Sequence, residues 1–272
     1  MRLISWQRDK AIKKIRSQRI KVGELHINYF TGGQGEPLVV VHGGGIGAEG
    51  WLQSVTELCE HYRVYVPDLP GFGRSQPMDG NHDISEFVEF LEGFVHSLGL
   101  ERFHLVGHSF GGGIALNYAL KFPCKIGKLV LVSSLCLGRE IAWWVRILSS
   151  SVLCRSLGVA AAVIIKAVRR LVIWVYAPLK FTNPLPLVKV NLGKSLATIE
   201  KQATVAANQL SELIMPTLLV WGARDGIVPV SQAYAAAKTI PDCQLHIFEG
   251  CGHSAYKQRL EEFTHLLTGF LL

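Results

Sequence analysis

The stretch LVGHSFGGG, residues 105–113, sets Ser109 between glycines, directly after the apolar run FHLV and directly before GGIALNYAL. A serine hydroxyl is a poor nucleophile near neutral pH, so chemistry at Ser109 needs a base and a group that orients the base. Downstream the chain offers both: Asp225 follows TLLVWGAR, and His253 stands in GCGHSAY after LHIFEG. Each of the three follows a strand-like run, which in an open α/β sheet sets them along the edge where the strand carboxyl ends lie. Singly, a Ser-Gly turn, an Asp in a turn and a loop His are ordinary. Together, in the order serine, acid, histidine, they read as nucleophile, orienting acid and base.

A second glycine cluster, VVVHGGGIGAEGW at 39–51, supplies what a developing oxyanion needs. Gly43, Gly44 and Gly45 expose backbone N–H groups, and the N–H of Gly44 pairs naturally with that of Phe110, the residue after the serine. One such donor lowers a barrier by about 3 kcal/mol. No Lys-Ser/Thr ending and no GxGxxG spacing accompanies the glycines, so a phosphate-binding loop is the weaker reading. His42 and His108 flank these loops and are expected to support them by hydrogen bonding rather than to act as further bases. No cluster has metal-ligand spacing, and neither metal nor cofactor is expected.

Stepping outward, RIKVGELHINYF reads as two strands around Gly23, and PLVVVHGG, RVYVPDLPG, FHLVGHS, GKLVLVSS, PTLLVWG and QLHIFEG read as buried strands. Helix-like stretches at 85–98, 110–121 and 257–271 alternate with them. That alternation predicts an α/β fold, a mostly parallel central sheet covered by helices on both faces and started by an antiparallel hairpin. It fails between 136 and 208, which reads as an inserted helical cap; the core is then 19–135 with 209–272, preceded by a basic extension at 1–18.

The net charge of +7 is uneven. Residues 1–21 carry eight Lys or Arg against one acid and residues 136–208 ten against two, leaving an acidic remainder. No nucleic-acid-binding pattern is present, so nucleic acid is not an expected partner. Two basic segments instead suggest weak association with a membrane surface through 1–18 or the cap. In the cap, Lys166, Arg169 and Arg170 share one helical stripe with Arg155. The uncharged runs there reach only about ten residues, half of the roughly 20 that a membrane span needs. Residues 1–20 lack the apolar core of a secretory signal, and six scattered cysteines read as reduced, mostly buried thiols, so a cytoplasmic location is expected.

With HGGG at 42–45, DLPGFGRS at 68–75, GHSFGG at 107–112, WGARDGIVP at 221–229 and GCGH at 250–253, the chain resembles the α/β-hydrolase superfamily from about residue 19 to 272. That resemblance implies a serine hydrolase with a Ser109, His253, Asp225 triad and an oxyanion hole at Gly44 and Phe110. The loop HGGGIGAEGW is similar to that of the hydrolases that split carbon–carbon bonds in meta-cleavage products of aromatic degradation. Where those enzymes commonly carry Asn before the nucleophile and Trp after the histidine, this chain has His108 and Ser254. The expected substrate is a small acyl or keto compound; the alternatives are a peripheral lipid hydrolase and a non-catalytic binder of a lipophilic ligand.

Overall fold

The computed structural model describes residues 15–45, 47–80, 82–138 and 206–272. Most of the expected cap, and residues 1–14 of the basic extension, lie outside the described residues.

Eight strands form one sheet: β1 (Arg16–Val22), β2 (Leu25–Gly32), β3 (Glu36–Val41), β4 (Tyr62–Pro67), β5 (Phe103–His108), β6 (Ile126–Val132), β7 (Thr217–Gly222) and β8 (Cys243–Phe248). Their order is β1-β2-β4-β3-β5-β6-β7-β8, with β1 and β2 antiparallel to each other, β2 antiparallel to β4, and every later pair parallel. The hairpin and parallel sheet match the sequence reading. β1 begins inside the span assigned to the basic extension, because Arg16 still pairs with Thr31 across the hairpin.

Helices cover both faces. α1 (Ile84–Ser97), α2 (Phe110–Lys121) and α3 (Ser231–Ala237) pack on the face made by Val39, Val41, Leu105, Leu131 and Leu219. α4 (Leu260–Leu271) and the short turns at 48–60 cover the other, with Trp51, Phe263 and Leu267 against Val40, Val106 and Val220. α1 shows why such a helix forms. Asp83 caps it by accepting from the Glu86 amide at 3.0 Å, and Ile84, Phe87, Val88, Leu91, Phe94 and Val95 recur at the spacing of one buried face.

Three expectations change. The helix expected at 257–271 is broken at Arg259, whose φ of −124° and ψ of 52° leave helical space between Ala255–Gln258 and α4. β8 is an edge strand, so of its six residues only Phe248 is buried. Likewise only Cys136 and Cys251 of the five described cysteines are buried; all five are free thiols.

Candidate active site

Ser109 sits between β5 and α2 with φ 54° and ψ −116°, a strained conformation for a residue with a side chain. Its surroundings explain the glycines. A Cβ on Gly107 would strike the Gly111 carbonyl, and one on Gly111 would strike the carbonyls of Val41 and His42, so strand and helix meet this closely only without side chains there. The turn is tied down by the Ser109 amide donating to the Val132 carbonyl at 3.0 Å and the Leu135 amide donating to the Ser109 carbonyl at 3.0 Å.

Asp225 and His253 follow β7 and β8, the two strands between β6 and the sheet edge. Their loops are laced together: the Ala223 amide donates to Phe248 and the Arg224 amide to Cys251. The result is a continuous line. His253 Nδ1 lies 2.9 Å and 3.1 Å from the two Asp225 oxygens, and His253 Nε2 lies 2.8 Å from Ser109 Oγ. The Asp225 side chain is fully buried, and that of His253 is 15% exposed. Burial opposes charge on Asp225, but hydrogen bonds from His253 and from the Ile227 and Val228 amides hold its carboxyl below the usual carboxylate range. A carboxylate kept ionised fixes the imidazole with Nδ1–H toward Asp225 and a bare Nε2 toward the serine, the state in which it can accept the hydroxyl proton.

The glycine loop comes to the same place. A Cβ built on Gly44 would lie 4.0 Å from Phe110 Cβ, and one on Gly43 would lie 3.1 Å from Ser109 Cβ. Phe110 opens α2, where backbone N–H groups have no partner within the helix. Gly45 differs from its neighbours: its φ is 149°, and a Cβ built on it would meet nothing within 4 Å among the described residues, so it shapes the turn rather than packing on the serine.

Both support histidines act through hydrogen bonds. His42 donates from Nδ1 to the Gly43 carbonyl at 2.7 Å and accepts from the Leu69 amide on Nε2 at 3.0 Å. Burial lowers its pKa, and the accepted bond requires the neutral ring. His108 donates from Nε2 to the His253 carbonyl at 3.0 Å.

Sequence reasoning did not single out Asp68. Its carboxylate accepts from the Ala48 amide at 2.8 Å, Asn28 Nδ2 at 2.9 Å and the Arg74 amide at 3.1 Å, which pins the end of the glycine loop to β2 and to the loop after β4. The available signal was the buried-looking acid in DLPGFGRS, among glycines that have room only for its carboxylate: Cβ atoms on Gly47 and Gly73 would both collide with it. Trp51 and Tyr256, stacked at 4.3 Å with 9° between ring planes, were also missed.

Among the described residues no group of His, Cys, Asp and Glu could hold a metal ion, and no helix is long and apolar enough to cross a membrane.

The chain is similar to named hydrolases over most of its length. A 2-hydroxy-6-oxononadienedioate/2-hydroxy-6-oxononatrienedioate hydrolase of Cupriavidus pinatubonensis is 32% identical over 91% of this chain and 90% of that protein. A 2-hydroxy-6-oxo-6-phenylhexa-2,4-dienoate hydrolase of Burkholderia cepacia is 30% identical over 91% of each. Among solved structures, a bacterial membrane phospholipase A described as a virulence factor superposes with a TM-score of 0.72 at 28% identity, over 99% of this chain and 90% of that one. The pattern of the alpha/beta hydrolase family matches residues 38–266, from within β3 through β8, and the chain belongs to that family.

Proposed function

We propose that the chain is a serine hydrolase that cleaves an ester or an activated carbon–carbon bond of a small, mostly apolar carbonyl substrate. The observation that carries this reading is the unbroken hydrogen-bonded line from Asp225 through His253 to Ser109. Ser109 Oγ attacks the carbonyl carbon while His253 Nε2 takes its proton, and Asp225 stabilises the imidazolium. The Gly44 and Phe110 amides receive the oxyanion. His253 then protonates the leaving group, an alkoxide from an ester or a carbanion equivalent from a carbon–carbon bond. In the second case it first assists ketonisation of a dienol. Water, losing a proton to His253, attacks the acyl-serine; the acid departs and Ser109 regains its proton. Residues 136–208 act as the cap that selects the substrate over the core formed by 19–135 and 209–272.

The names of the relatives at 30% and 32% identity support carbon–carbon cleavage. The likeness to a membrane phospholipase A supports a second reading, hydrolysis of lipid esters at a membrane surface reached through the basic residues of 1–18 or of the cap.

A fluorophosphonate should label Ser109 covalently, with the label lost in Ser109→Ala. Folded protein that takes no label would leave only the non-catalytic binder. A rate screen of p-nitrophenyl esters of rising chain length beside a vinylogous 1,5-diketone then assigns the bond: dominance of the diketone supports carbon–carbon cleavage, and preference for long acyl chains supports the lipid reading.

A further inference from the structure

His108 adjoins the proposed nucleophile, the proposed base and the glycine loop. Its backbone is bonded directly to Ser109. Its Nε2 donates to the backbone carbonyl of His253 at 3.0 Å. On its other side Nδ1 lies against the glycine loop, at 2.7 Å from where a Cβ on Gly43 would stand. The ring is held in place by three others: His253 at 5.0 Å, Tyr256 at 4.8 Å and Trp51 at 6.2 Å between centroids, with Trp51 and Tyr256 stacked on each other.

We propose that His108 is a positioning residue that sets the distance between nucleophile and base, joining the peptide next to Ser109 to the backbone of His253. The inference rests on the nucleophile assigned to Ser109 above. His253 is thereby fixed at two points, its ring by Asp225 and its main chain by His108, so that Nε2 has one direction left to face. The groups around the His108 ring are His253, Asp225, Tyr256 and Lys257, on the two loops beyond β7 and β8 and on the turn at Ala255–Gln258. Burial, helped by the neighbouring His253 and Lys257, holds His108 down to about 3, so the ring stays neutral and keeps its Nε2–H on the carbonyl across the working pH range.

An asparagine here, as the carbon–carbon hydrolases commonly carry, would place its amide near the position of Nδ1 and fall short of the His253 carbonyl. A glutamine amide nitrogen reaches the position of Nε2. The test is turnover of a p-nitrophenyl ester by wild type, His108→Leu, His108→Asn and His108→Gln, with kcat expressed per Ser109 titrated by fluorophosphonate so that unfolded protein is not counted. Leu and Asn should lower kcat about 10- to 100-fold, the loss that follows when a reacting group shifts by about 1 Å, with KM nearly unchanged, and Gln should recover most of it. Wild-type kcat in the Asn variant, or equal losses in Gln and Leu, would overturn the positioning role while leaving Ser109 as nucleophile. A wild-type chain with neither label nor turnover would instead overturn the nucleophile assignment.

Discussion

β5 carries a histidine near each end, on the same face of the sheet, and the two live in opposite surroundings. His104, toward the amino end, meets the edge of Tyr62 at 5.5 Å and pairs Nε2 with Glu36 at 3.0 Å, a carboxylate whose side chain is 77% exposed. Its Nδ1 is buried with no hydrogen-bond partner among the described residues. Beside it opens a cavity of about 420 Å³ shared with His61, Tyr62 and Lys128. His108, at the carboxyl end, meets a backbone carbonyl, two stacked rings and a glycine loop. The amino end has room and polar groups; the carboxyl end has strain and tight packing. The proposed nucleophile and base gather at the carboxyl end because there each parallel strand turns into a loop or helix start whose amides face outward. Among the described residues, therefore, the cavity beside His104 does not coincide with the proposed site.

The two ends invite matched substitutions. An alanine methyl at Gly43 would lie 2.7 Å from His108 Nδ1, and one at Gly127 would lie 2.8 Å from His104 Nδ1, so each inserts the same bulk against a histidine ring. Gly43→Ala should lower kcat by about 100-fold or more, since it lifts the oxyanion loop off Ser109. Gly127→Ala should cost about 1–3 kcal/mol of stability with kcat per folded molecule unchanged. Ester kinetics beside urea unfolding decides the matter, and equal kcat losses would erase the distinction between the ends.

A pH series sharpens the contrast. The buried His108 has its pKa lowered from 6.5 to about 3 in the folded chain. Unfolded chains therefore take up a proton below about pH 6.5 that the folded chain refuses, and stability falls as pH drops from there toward 3, by up to about 1.4 kcal/mol per pH unit. His108→Gln should flatten that slope by this amount in urea titrations at pH 6.5, 5.5 and 4.5. A difference between variant and wild type that stays constant across the series would remove His108 from the acid response. The smallest effect belongs to the amino end: Glu36→Gln, at an exposed pair, should change stability by less than about 1 kcal/mol and leave ester kcat at the wild-type value. A tenfold loss there would mean the two ends are coupled.

Ser109, Asp225 and His253 are legible although they pair across 28 and 144 positions, because each is marked locally: each follows a strand-like run, and the glycines around Ser109 announce a close crossing of strand and helix. The nearness of Gly44 to Phe110 follows from the same glycine pattern. What escaped was contacts with distant partners that no local motif marks. Asp68 acts through Ala48 and Asn28, and Trp51 meets Tyr256 only after the sheet has brought β8 round to its edge. The exposure of β8 and the break at Arg259 escaped for the same reason, since edge position and helix exit depend on neighbours rather than on residue pattern.

Because β7 and β8 are the last described strands in the chain yet lead to the proposed acid and base, the site also has an order in time. Ser109 emerges from the ribosome 144 residues before His253, an interval on the order of ten seconds at about 5–20 residues per second. During that interval the proposed nucleophile lacks both of its partners. The proposed hydrolase activity therefore waits on the edge of the sheet formed by β7 and β8.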